Sequence, residues 1–106
     1  MTKDPRIDRL VVLSGLVRDH RLSQLAAATA ARDATVAMRD GLVATQSDDP
    51  AALQAQAVYG VWVERQREVL ALQIDRQQAE VSAHTETARV AFARAVVLAK
   101  LRDQLS

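Results

Sequence analysis

The chain has no cysteine, which rules out a disulfide framework and any thiolate metal site and fits a reducing compartment. Two prolines and three glycines leave few places where regular structure must break. Aromatic residues are only 3% of the chain, one each of Phe, Tyr and Trp, and much of the 49% apolar share is alanine. Such thin side chains point away from a large globular core and toward closely packed helices. Neither charge sign dominates: fourteen Lys and Arg face thirteen Asp and Glu, a net charge of +1, which excludes the electrostatic footprint of a nucleic-acid binder. No run approaches the roughly 20 apolar residues of a membrane span. The opening "MTKDPRIDRL" places charges where a signal peptide needs its apolar centre. The expectation is a soluble, cytoplasmic, single-domain protein of 106 residues.

Both prolines announce helices. Asp4-Pro5 and Asp49-Pro50 each set a capping acid before a proline, the favoured order of N-cap and first helical residue. Strong helix formers fill most of the rest, and the clear break is Gln46 to Pro50. The spacing predicts an all-α fold of two long helices, near 5–46 and 50–105, joined by a loop at 47–49 into an antiparallel coiled-coil hairpin. Gly15, Gly41 and Gly60 fall inside helical pattern, each a local weakness of about 1 kcal/mol against alanine.

The second helix carries a heptad track through Leu53, Gly60, Val63, Leu70, Ile74, Val81, Ala88, Ala91, Ala95, Leu98 and Leu105, with polar breaks at Gln56, Arg67, Gln77, His84 and Arg102. In the first helix Ile7, Leu10, Val17, Ala28, Ala31, Met38 and Leu42 share one track, and Leu22, Leu25, Val36 and Val43 the next, so no single register persists. Folding about Asp48 and Asp49 pairs residues whose numbers add to about 97. That map sets Met38 opposite Tyr59, Thr35 opposite Trp62 and Arg32 close to Glu64 and Arg65. It also leaves the last dozen residues of the second helix overhanging.

The chain's one Tyr and one Trp stand three apart in "AQAVYGVWVERQ". Both cannot point squarely into a seam defined by Gly60 and Val63, so at least one ring is expected at the surface. With Met38 and Leu42 they make a loop-side docking patch of Met38, Leu42, Tyr59 and Trp62. A second candidate lies at the terminal pole, where Arg89, Arg94, Val97, Lys100 and Leu101 combine basic and apolar character. No Ser-His-Asp arrangement, phosphate-cradling loop or zinc motif is present, and His20 and His84 are too far apart to share a metal. Neither a catalytic residue nor a metal or cofactor is expected.

The run Tyr59-x-x-Trp62, Gln66-Arg67, Leu70, Gln73, Gln77-Gln78, then Ala88-Arg89-x-Ala91-x-x-Arg94-Ala95 leading to Leu101 resembles the C-terminal half of FliJ-type flagellar export proteins. The resemblance implies a non-enzymatic coiled-coil stalk of the type III protein export apparatus. Its terminal pole would enter the export ATPase ring, and the rest of the coiled coil would contact the export gate or escort chaperones. The alternatives are a generic helical dimerisation module, with a homodimer as its form, and a leaderless secreted hairpin of the WXG type. Against the last, the order here is Gly60-Val61-Trp62 rather than Trp-x-Gly, and it lies well after the turn.

Overall fold

The computed structural model describes residues 4–43 and 49–105. They form two helices, α1 (Pro5–Asp40) and α2 (Pro50–Leu105), and no strand occurs among the described residues. The fold is an all-α helical hairpin. Both expected caps are in place. An Asp4 carboxylate oxygen accepts from the Arg6 N–H at 2.9 Å, and the Asp4 carbonyl accepts from Ile7 at 3.1 Å. At α2 the Asp49 carboxylate accepts from Ala51 at 3.0 Å, and its carbonyl accepts from Ala52 and Leu53. Each acid thus takes up N–H groups that a helix start leaves without a partner.

α1 ends earlier than its composition suggests. Asp40 is its last helical residue; Gly41 forms a turn, Leu42 and Val43 are not helical, and 44–48 lie outside the described residues. The Gly41 N–H still bonds the Ala37 carbonyl at 3.0 Å, while the Leu42 N–H bonds Arg39, one residue closer than an α-helix would give. A Cβ at Gly41 would stand 3.3 Å from the Ala37 carbonyl oxygen, tighter than ordinary contact. Glycine weakens the helix at this point, and the shortened final bond closes it.

The chain divides into two compact units, each made of a segment of both helices: unit 1 comprises 1–29 with 80–106, and unit 2 comprises 30–79. In unit 2, Arg32 Nη1 donates to Gln78 Oε1 at 2.9 Å, Gln77 Nε2 to the Ala31 carbonyl at 3.3 Å, and Arg67 Nη2 to the Leu42 carbonyl. Paired numbers therefore add to 108–110, not to about 97. Arg32 meets Gln78 rather than Glu64 and Arg65, and Thr35 lies level with Ile74 rather than Trp62. In unit 1, Val17 and Arg21 share a groove with Thr87, Val90 and Ala91, which is the same alignment.

This alignment moves the overhang to the other end. Asp40 falls level with residue 69 or so of α2, so α2 residues from Pro50 onward begin well beyond the end of α1 as a helix. At the terminal pole Leu105 falls level with Asp4, and the expected C-terminal overhang is absent.

The α2 seam follows the heptad track read from the sequence between Gly60 and Leu98, whereas Leu53 and Leu105, expected on the same track, are exposed. Its buried residues are Val63 and Leu70 in unit 2, and Val81, Ala88, Ala91 and Ala95 in unit 1. The α1 seam differs from either apolar track. The half-buried or buried positions there include Ile7, Val11, Ser14, Arg18, Arg21, Leu25, Ala28, Arg32, Thr35, Arg39 and Leu42, a single heptad register with four arginines in it. Leu10, Val17 and Met38 are instead exposed. Arginine can take an inward position because its methylene stem covers apolar surface while its head reaches water. In unit 1 the alanines at 88 and 91 fall level with Arg21 and Arg18 and leave room for those two stems. Thr35, 3% exposed, satisfies its hydroxyl on the Ala31 carbonyl at 3.1 Å.

Candidate functional site

In unit 2 the aromatic pair stands on the part of α2 that begins beyond α1. Tyr59 and Trp62, one helical turn apart, stack with ring centroids 5.6 Å apart and planes 24° apart. Trp62 remains 47% exposed, so the rings shield one another without being covered. Along this stretch Ala52, Gln56 and Gly60 are half-buried and Val63 is buried, while Leu53, Val58 and Val61 face outward. Ala51, Gln54, Ala55, Val58, Tyr59 and Trp62 line an open groove of about 740 Å³. At its Pro50 end the walls are alanine, and at its far end they are rings.

Met38 and Leu42 do not line this groove. Met38 is exposed but falls level with residue 71 or so of α2, more than two turns from Trp62. Leu42 is half-buried, its carbonyl held by Arg67. The expected loop-side patch therefore consists of its two aromatic members with Ala51, Gln54, Ala55 and Val58, which are close in sequence but carry no conspicuous side chain.

Unit 1 presents a different surface. Arg89, Val90, Ala93, Arg94, Val97 and Leu98 line a groove of about 460 Å³, and Arg94 also borders the one shared with Val17 and Arg21. Val97 is exposed, Leu101 less so. Leu10, Leu13 and Val17, spaced three and four apart, form an exposed apolar stripe on α1. The sequence reading missed this stripe because it assigned Leu10 and Val17 to the interior.

The basic residues here are not equivalent. Arg89 donates from Nε to Glu86 Oε2 at 3.0 Å and from Nη2 to Oε1. That hydrogen bonding, and then the charge of Arg89, lowers the Glu86 pKa; the same bonding, and then the charge of Glu86, raises that of Arg89. Arg102 lies 3.8 Å from Asp103. Arg94 and Lys100 make no ion pair among the described residues. Arg9, on α1 in the same unit, makes none either.

His20 is exposed and falls level with Arg89 or thereabouts, while His84 is half-buried on the α2 seam level with Leu25. Among the described residues no three His, Asp or Glu side chains converge on a point. No helix of the described residues is long and apolar enough to cross a membrane. These grooves can accept apolar side chains, and the two on unit 1 can add charge-assisted bonds from Arg94. Comparison with protein-family models, curated proteins and solved structures finds no match to this chain.

Proposed function

We propose that the chain is a non-enzymatic helical adaptor whose work is to dock unit 1 onto an acidic, partly apolar surface of another protein. The observation that carries this reading is the placement of Arg94 and Lys100, both without an ion pair among the described residues, beside the exposed side chains of Val97 and Leu101. Apolar contact supplies the affinity of such a site, and the cations select an acidic partner and speed its approach.

The specific form of this proposal is a cytoplasmic stalk of the flagellar type III export apparatus, with the export ATPase as the partner of the terminal pole and the export gate or chaperones as further partners. It rests on the sequence resemblance to FliJ-type proteins. With no overhang at the terminal pole, contact with the ATPase would run along the flank of both helices, through Arg94, Val97 and the Leu10 stripe, rather than through a projecting tip.

The test is a pull-down of the purified chain with the export ATPase, repeated with Arg94→Glu and Lys100→Glu. The double reversal should weaken capture at least tenfold and make the remaining binding less sensitive to salt. Equal capture by both forms would remove the terminal-pole assignment. No capture of the wild-type chain would remove the export-stalk reading and leave the adaptor reading with another partner.

A further inference from the structure

Among the described residues the buried apolar side chains are Val63, Leu70, Val81 and three alanines, and the chain exposes 7909 Å². A compact monomer of 11.6 kDa exposes about 5,800 Å². The surplus is about 2,000 Å², and one partner in a standard stable interface covers about 800 Å². The chain's area is thus large enough to give one partner's share of a dimer of ordinary size.

One stretch of that surface is suited to meet itself. From Pro50 to Val63, "PAALQAQAVYGVWV", there is no charged side chain, although a quarter of the chain is charged. This stretch begins beyond the end of α1 as a helix and exposes Leu53, Val58, Tyr59, Val61 and Trp62. We propose that it is a homodimer interface, in which the Pro50–Val63 segments of two copies pack antiparallel across a two-fold axis.

Two features favour a second copy as the occupant. In a two-fold interface each residue near the axis faces its own counterpart or a near neighbour of it, so a charge there meets its like. Fourteen residues without charge remove that penalty, and the net charge of +1 adds almost no long-range repulsion. The groove is also complementary to itself when reversed. Its alanine end, Ala51 and Ala55, has the space that its ring end, Tyr59 and Trp62, would fill. Antiparallel packing brings the rings of each copy over the alanines of the other. A large side chain opposite a small one is how helices interlock at short distance.

The proposal is tested by sedimentation of the full chain, alone and with charges placed near the axis. Val58 is 69% exposed, so Val58→Glu and Val58→Lys should leave the monomer fold intact, checked by helical circular dichroism. The wild-type chain should sediment as a dimer at micromolar concentration. Each variant alone should show a dissociation constant raised about a hundredfold or more, and an equimolar mixture of the two should regain dimer through the opposite charges. Emission from Trp62, the sole tryptophan, should shift to the red when the wild-type dimer is diluted. A wild-type chain that stays monomeric at hundreds of micromolar would overturn the proposal. So would a dimer that persists in both variants, which would place the contact elsewhere. Neither result touches the ATPase pull-down, because that experiment reads unit 1.

Discussion

Arg67 donates a guanidinium N–H to the main-chain carbonyl oxygen of Leu42. This bond crosses from α2 to the non-helical segment after α1, and it marks the level on α2 at which the first helix stops. It also gives a charged donor to a carbonyl that has left the helical ladder. Arg67→Ala should cost about 1 kcal/mol, below the usual range for a charge-assisted bond because the side chain is partly exposed. Amide exchange at Gly41 and Leu42 should quicken while that of Val81 stays as it was. Unchanged exchange at both positions would mean that the bond does not hold the end of α1.

Leu70 and Leu72 are two residues apart and should respond in opposite ways. Leu70 is 9% exposed on the seam, whereas Leu72 is 64% exposed. Leu70→Ala should destabilise by about 2–3 kcal/mol in urea unfolding, and Leu72→Ala should fall within about 0.5 kcal/mol of the wild type. Equal losses at both would show that the outer face of α2 is covered in solution.

Gln77 occupies a seam position where an apolar residue would ordinarily sit. Its Nε2 donates to the Ala31 carbonyl, but its Oε1 is buried with no hydrogen-bond donor among the described residues. An unmet buried acceptor costs about 1–3 kcal/mol, so Gln77→Leu should raise the melting temperature. The native glutamine helps to hold alignment, because its bond to Ala31 forms only when the helices are in this register. A lower melting temperature for Gln77→Leu would show that the bond to Ala31 outweighs the unmet oxygen.

Glu86 and Arg89 set a small pH dependence. The folded Glu86 pKa lies below its unfolded value, first through the hydrogen bonds from Arg89 and then through its charge. The stabilisation is thus present above the unfolded pKa and lost as pH falls through the folded one. Glu86→Gln should melt slightly below the wild type at neutral pH, and the two curves should converge under acid. Both groups are fully exposed, so the gap is small and shrinks further in high salt. A gap that persists at the acid end would have to come from something other than this pair.

The α2 seam could be read from the chain because its small and apolar residues recur at heptad spacing, and each buried residue of that helix lies on that track. The α1 seam could not. Arg18, Arg21, Arg32 and Arg39 look like an outer face to any pattern that counts charge, yet all four are half-buried, because a long methylene stem can cover apolar surface while its head reaches water. The same misreading hid the outer stripe of Leu10, Leu13 and Val17. Of the aromatic site, Tyr59 and Trp62 stood out by rarity. Ala51 and Ala55 had no such signal, since an alanine shapes a groove only by what it leaves empty.

What the sequence determined by itself was local: two helices, the caps at Asp4 and Asp49, and the inward face of α2. These depend on groups within one or two helical turns of each other. The alignment of α1 against α2 was decided only by the tertiary structure. Two antiparallel helices can slide by whole turns with each periodic pattern intact, so local pattern ranks the alternatives poorly. The choice falls to contacts between residues 25 to 46 positions apart, Arg67 with Leu42, Gln77 with Ala31 and Arg32 with Gln78. Those contacts place the uncharged beginning of α2 beyond the end of α1 and leave its rings exposed.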